Sequence, residues 1–172
     1  DVEKLTSLPV VGDIPLADEK TGSIAVFENQ NNLMSETFRN VRTNLQFMLE
    51  NGKNVILVTS TISGEGKSFI SANLAISLSL LGKKVVIVGL DIRKPGLNKV
   101  FNIPKKEHGI TQYLTNTTAN LMDFVQPSDI NKNLFILPGG TVPPNPTELL
   151  ARGGVEKAIE TLKANFDYVI LD

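Results

Sequence analysis

The sequence contains no cysteine, which excludes disulfides and thiolate metal centres and suits a reducing compartment. Its one histidine, His108, has no second candidate ligand near it and reads as structural. No apolar run approaches the roughly 20 residues that a membrane-spanning helix needs, and no secretory signal is visible. The segment is therefore expected to be soluble and cytosolic. Neither sign of charge dominates: 17 Lys and Arg face 18 Asp and Glu, so there is no basic field and no nucleic-acid partner is expected. Internal repeats and low-complexity tracts are also missing. What remains is a 172-residue chain, the size of one α/β domain with a real core. It closes on Tyr168 to Asp172, a strand that stops at its tip. Natural domains rarely end there, so truncation on the C-terminal side is expected.

One stretch organises the rest. Val55-Ile56-Leu57-Val58 is a short apolar run of the kind that forms a buried parallel strand. It leads through Thr59 to Ser63 into Gly64-Glu65-Gly66-Lys67-Ser68, and a helical pattern follows. Strand, glycine-rich turn and helix in this order make a phosphate-binding loop. Gly64 and Gly66 let backbone N–H groups turn inward around an anion, and the following helix offers its N-terminus to the same charge. Lys67 is expected to reach the β- and γ-phosphates, with the Ser68 hydroxyl on Mg2+. Ser63 to Phe69 form the expected nucleotide-contacting set. The first glycine of the usual G-x-x-x-x-G-K-S/T pattern is replaced by Thr61.

Around this loop the chain reads as alternating helices and strands. Residues 1–32 are expected to be an extended N-terminal segment, because the prolines in Leu8 to Pro15 oppose helix. Residues 33–172 form the main domain. Met34, Phe38, Val41, Leu45 and Met48 recur at helical spacing, and Asn51-Gly52 stops that helix. Its other face carries Glu36, Arg39 and Arg42, by spacing alone a solvated face with an i,i+3 ion pair. Ile70, Leu74, Leu78 and Leu81 mark a helix ending at Gly82. Val85 to Leu90 forms a second strand with Asp91 at its carboxyl end, where ligands collect in open parallel sheets. A short helix is expected after Gly109, a brief strand near Phe124-Val125, and another strand over Leu134 to Leu137. Pro146 and Thr147 open a helix, and Val155, Ile159, Leu162 and Phe166 pattern a last one. The strand Tyr168 to Leu171 ends in Asp172, an acid placed to organise Mg2+ with Ser68 and Asp91.

On these residues the sequence resembles the bacterial tyrosine kinases of capsule and exopolysaccharide synthesis, in their cytoplasmic kinase domain. Leu8 to Pro15 looks like the family's leading segment. Glu36 to Leu45 matches its E-x-x-R-x-x-R helix, and Thr59 to Ser68 its modified phosphate loop. Asp91 to Pro95 matches much of its second acidic motif, Pro143 to Leu150 its P-P-N-P-S/T-E-L-L signature, and Phe166 to Asp172 the start of its third motif. The resemblance implies an α/β fold with a mostly parallel sheet flanked by helices, of the partitioning-ATPase-like P-loop type. It implies ATP-dependent tyrosine autophosphorylation with ATP/ADP and Mg2+, and catalytic roles for Lys67, Asp91 and Asp172. It reassigns Glu36, Arg39 and Arg42 to the interface of a ring-like homo-oligomer. It also implies a membrane-anchored co-polymerase segment or activator, on the cytoplasmic side of the inner membrane.

Two departures qualify these expectations. The family's second motif reads D-x-D-x-R, and here Gly89 stands in place of its first aspartate. Loss of a positioned base costs roughly 10²–10⁴ in rate, so a nucleotide-binding assembly module with little kinase activity is an alternative. The family's substrate tyrosines would lie beyond Asp172, and the tyrosines present are Tyr113 and Tyr168. Tyr168 sits in an expected core strand and would be a poor acceptor. A switch ATPase of the partitioning class is the other alternative. Its signature lysine would stand where Ile62 does.

Overall fold

The computed structural model describes residues 4–17, 21–49, 52, 54–104, 108–116, 118–151 and 153–172. Its apolar runs pair into one five-stranded sheet: β1 (Val55–Leu57), β2 (Val85–Val88), β3 (Gln126–Pro127), β4 (Leu134–Leu137) and β5 (Tyr168–Leu171), in the order β1-β5-β2-β4-β3. All pairings are parallel except β3 with β4. Because β2 and β5 are interior and nearly continuous in Val, Ile and Leu, they have to be covered on both faces. The period of two then sorts each strand between two cores. Val85, Ile87, Leu134, Ile136 and Ile170 face one layer, and Val86, Val88, Leu137, Val169 and Leu171 face the other.

The first layer holds α1 (Leu33–Met48), α2 (Lys67–Ser79) and the short α3 (Gly96–Val100). The second holds α4 (Ile110–Thr115), α5 (Pro146–Ala151) and α6 (Gly154–Asn165). Asn32 caps α1, its side chain accepting from the Ser35 N–H at 2.8 Å, and Phe38 and Val41 bury against α2. Gly52 has the expected left-handed φ of 88°, whereas Asn51 lies outside the described residues. Helix α2 is not striped. Ser71 to Ser79 are all buried, because α1, α3 and strands β2, β4 and β5 surround it. Its buried polar groups are therefore tied off. Asn73 Oδ1 accepts from the N–H groups of Ala25 and Val26, and its Nδ2 donates to the carbonyls of Ser23 and Phe69. Those bonds fasten the N-terminal segment to the helix that follows the phosphate loop. Asn44 adds another, donating to the Val11 carbonyl at 2.7 Å.

Several boundaries differ from the sequence expectation, each for a local reason. Helix α2 stops at Ser79, and Leu81 is 44% exposed; Gly82 turns the chain with φ 77°. Strand β2 stops at Val88, because the N–H groups of Leu90 and Asp91 both bend onto the Asp172 carbonyl. No strand forms at Phe124-Val125. Asn120 accepts from the Met122 N–H and starts a 3-10 turn, Leu121–Phe124, and pairing begins only at Gln126. Helix α3 was not foreseen. It is five residues long and turns on burial of Leu97 rather than on any periodic stripe.

Candidate active site

Strands β1, β5 and β2 lie side by side, so the residues leaving their carboxyl ends converge. Val58 N–H continues the ladder onto the Leu171 carbonyl, and Asp172 N–H onto the Val88 carbonyl, both at 2.9 Å. This register puts the phosphate loop, Asp172 and Asp91 around one cleft of about 590 Å3, lined by Thr59 to Gly64, Gly66 to Phe69, Asp91, Arg93 and Lys94.

The loop's glycines have the left-handed backbone anticipated for them, Gly64 at φ 98° and Gly66 at φ 92°. Gly66 is the N-cap of α2 and places no side chain on its N–H groups. The first-turn N–H groups of an uncapped helix are donors for an anion. Thr61, at the position of the absent glycine, has a partner. Glu65 folds back so that its carboxylate accepts from the Thr61 N–H at 2.8 Å, the Ile62 N–H at 3.2 Å and the Thr61 hydroxyl at 2.8 Å. The Thr61 hydroxyl first, then the Ile62 N–H and, less, the Thr61 N–H, hold the Glu65 carboxyl below its ordinary pKa against the opposing effect of desolvation. Sequence reasoning placed Glu65 among the nucleotide contacts; here its side chain is taken up by Thr61 and Ile62 within the loop.

Lys67, Ser68, Asp91 and Asp172 do come together. Lys67 Nζ lies 3.1 Å from Asp172 Oδ1 and 3.9 Å from Asp91 Oδ2. The Ser68 hydroxyl donates to Asp172 Oδ2 at 2.8 Å. Ser71, one helical turn on, donates to Asp172 Oδ1 at the same distance. The Asp172 side chain is 1% exposed and that of Asp91 37%, so the two acids are not equivalent. Asp172 is a buried, fully hydrogen-bonded anchor, and Asp91 opens to the cleft, with one oxygen taken by the Lys94 N–H. Sequence reasoning missed Ser71; its i+3 spacing from Ser68 was the available signal.

A hydroxyl beside two carboxylates is the oxygen donor set of a hard divalent cation. Among the described residues no group of three or more His, Cys, Asp and Glu could hold a metal ion. A cation here would therefore share its coordination with ligand oxygens and water, as Mg2+ characteristically does.

Two glycines, one just past the second motif and one at its first position, keep these parts close. A Cβ on Gly96 would lie 2.3 Å from the Ser68 hydroxyl oxygen, so α3 can abut the site only with glycine there. A Cβ on Gly89 would lie 3.0 Å from the Gly139 nitrogen and 3.6 Å from Leu97 Cδ1: the chain packs Gly139 against the bare carbon where the motif's first acid would stand. Arg93 donates to the Thr147 hydroxyl at 2.8 Å, joining the acidic segment to α5. On α1, Glu36 and Arg39 form the foreseen surface ion pair at 2.9 Å. Arg42 turns inward and donates to the Ser77 carbonyl of α2 at 2.8 Å. His108 is exposed and stands apart from the cleft.

Comparison with known proteins converges on one family. Residues 51–172 match the ParA family model, described as NUBPL iron-transfer P-loop NTPase. The tyrosine-protein kinase CpsD of Streptococcus agalactiae is 38% identical over 137 residues, which cover 80% of this chain and 58% of that protein. This chain thus spans little more than half of that relative's length. The chimerical protein CapA2B2 superposes with a TM-score of 0.87 at 34% identity, over 99% of this chain and 73% of that one. The septum site-determining protein MinD of Pyrococcus horikoshii, solved with Mg-ADP, gives 0.59 at 26% identity over 69% and 48%. Among the described residues no helix is long and apolar enough to cross a membrane. The sheet is mostly parallel and flanked by helices, as the resemblance implied, and the chain belongs to the bacterial tyrosine kinase family of P-loop NTPases.

Proposed function

We propose that this chain is the phosphotransferase domain of a capsule or exopolysaccharide kinase, moving the γ-phosphoryl group of ATP to tyrosine. The observation that carries the reading is the convergence of Lys67, Ser68, Asp91 and Asp172 at one end of the sheet. The loop N–H groups and Lys67 bind the phosphates and offset charge on the transferring group. For Lys67 this means leaving Asp172, the acid it neutralises here. Ser68, Asp91 and Asp172 are the residues that would hold Mg2+, whose charge would offset that of the phosphates. Asp91 is the more exposed acid and the one suited to take the acceptor's proton; Asp172 is occupied by two hydroxyls. Glu65 and Thr61 hold the loop in shape. Self-association through the α1 face and a membrane-anchored activator complete the reading.

The experiment is a phosphotyrosine blot of the full-length protein after incubation with Mg·ATP, beside calorimetry of Mg·ADP binding. Tyrosine phosphorylation that disappears in Lys67→Met is the expected result. Binding without any phosphorylation would favour a second reading, an assembly module switched by nucleotide, for which the tight packing at Gly89 speaks. Absence of Mg·ADP binding by the folded protein would overturn both.

A further inference from the structure

The proline-rich stretch from Pro143 to Leu150 stands out in the sequence, yet the site described above gives it no task. Its structure is that of a rigid arm. The chain leaves β4 through Pro138 to Thr141, which α4 ties down. The N–H groups of Ile110 and Thr111 donate to the Pro138 and Gly139 carbonyls, and the Thr111 hydroxyl donates to the Thr141 carbonyl at 2.9 Å. Pro143, Pro144 and Pro146 then stiffen the backbone, since the proline ring locks φ. Beyond them Leu149 is buried in the second core, its N–H donating to the Asn145 carbonyl at 3.1 Å. Between these anchored ends, the exposed Thr147 hydroxyl accepts from Arg93 Nη2 at 2.8 Å.

Arg93 is fixed from its own side as well. Ile92 before it is buried, and after it the Lys94 N–H donates to Asp91 Oδ1 and turns the chain. Arg93 lines the nucleotide cleft two residues beyond Asp91. That end of the cleft also holds Lys67, whose Nζ is 3.9 Å from Asp91 Oδ2. It is the γ-phosphate end, because the lysine of such a loop reaches the β- and γ-phosphates. Among the described residues no carboxylate pairs with Arg93, whereas Lys67 is held by Asp172, Arg39 by Glu36 and Lys163 by Glu160. Its partner on the arm is neutral, so its charge stays uncommitted. A hydroxyl occupies a single donor of the guanidinium fork, and the donors that remain suit phosphate oxygens.

We propose that Arg93 is the cation that recognises the γ-phosphate, and that the proline-rich arm serves to place it, with Thr147 as the positioning residue. This rests on the nucleotide-binding half of the reading above and is independent of the acceptor. Lys67 reaches the phosphates only by leaving Asp172. Arg93 leaves no acid behind, so its contact distinguishes a triphosphate from a diphosphate.

The test compares two nucleotides on the full-length protein by titration calorimetry, Mg·ADP and the Mg2+ complex of the non-hydrolysable imido analogue of ATP. The readout is the ratio of the two affinities, which needs no transfer. Arg93→Gln is expected to weaken the triphosphate analogue by roughly tenfold, the scale of one hydrogen bond to a charged group, and to leave Mg·ADP unchanged. Thr147→Val should lose roughly threefold of the same preference, the scale of a neutral hydrogen bond, and Thr147→Ser, which keeps the hydroxyl, should restore it. A contact that merely joined α5 to the acidic segment would shift Tm and both affinities together and leave their ratio alone. An unchanged ratio in Arg93→Gln, or equal weakening of both nucleotides, overturns the assignment of Arg93. A Thr147→Val protein that keeps the full preference, or a loss that Thr147→Ser does not repair, overturns the role of the arm. Should the ratios move as expected while the wild type phosphorylates no tyrosine, Arg93 keeps its place and the kinase reading falls.

Discussion

Ser71 is the residue whose loss separates a site held by the phosphate loop alone from one held by the whole first turn of α2. Its hydroxyl is buried and donates to Asp172 Oδ1 at 2.8 Å. Among the described residues the other partner of that oxygen is Lys67 Nζ at 3.1 Å. Hydrogen bonds to charged groups contribute about 1.5–3 kcal/mol, and the cavity left by one hydroxyl is too small to relieve the loss. For a domain of this length each kcal/mol moves Tm by about 2–4 °C, so Ser71→Ala should melt about 3–12 °C below the wild type. The effect on ligand should be larger than a simple stability change implies. When Lys67 moves to phosphates, Asp172 Oδ1 in the variant loses both donors it has here, so the buried carboxylate is positioned by Ser68 and the incoming cation alone. Mg·ADP affinity should fall by roughly tenfold, about 1.4 kcal/mol. Scanning calorimetry and titration calorimetry check the two numbers on one sample. An unchanged Tm with unchanged affinity would refute the account of Asp172 as an anchor held by two hydroxyls.

Other positions give independent tests. Gly96→Ala should weaken Mg·ADP binding at least tenfold while costing about 1–3 kcal/mol of stability through overpacking, because the added methyl has to displace the Ser68 hydroxyl; equal affinity by titration calorimetry would show that α3 is free to back away. Glu65→Ala should speed amide exchange at Thr61 and Ile62, read by NMR. In the wild type, since the folded pKa of Glu65 lies below its unfolded value, protection of those amides is present above the ordinary glutamate range and lost as pH falls through the lowered folded value. Asn73→Ala removes four hydrogen bonds that reach Ser23, Ala25, Val26 and Phe69, and should lower stability by about 2–4 kcal/mol while exposing the segment around Ser23 to limited proteolysis. Gly89→Asp should lower Tm without raising phosphotransfer, because its Cβ meets the backbone of Gly139; a gain in phosphate incorporated would mean that the missing acid alone limits the rate.

How far the sequence could be read depended on whether a position is governed by its neighbours along the chain or across space. Strands β4 and β5 were legible to the residue, because an uninterrupted apolar run with a turn at each side has one reading in a parallel sheet. The shape of the phosphate loop was legible because Gly64 and Gly66, both with positive φ, stand within a few residues of the helix they turn into. Helix α3 was not, since five residues carry no period and Leu97 is buried by the tertiary fold alone. Nor was the role of Arg42: spacing places it on a polar face with Arg39, and only the packing of α1 on α2 shows that it caps the Ser77 carbonyl. Gly96 and Gly139 read as turn residues in isolation. Each is required by an atom at least 28 positions away in sequence, Ser68 for Gly96 and Gly89 for Gly139, and no local pattern encodes that contact.

The placement of Lys67 carries a consequence for how ligand and metal enter together. Asp172 is buried, and a buried carboxylate needs a cation or a full set of donors. Lys67 supplies that cation here, so the lysine the phosphates require is already committed. A nucleotide without metal has to draw Lys67 from Asp172 and leave the acid with its two hydroxyls. A metal ion without nucleotide has to displace the ammonium group or crowd beside it. With both present, Asp172 and Ser68 would hold the cation and Lys67 would be free for the phosphates, so that neither charge is left unmatched. On this account the pairing of Lys67 with Asp172 is not an inert resting contact. Under the proposed function it would make occupancy by nucleotide conditional on the metal, and the hydroxyls of Ser68 and Ser71 would keep Asp172 in place.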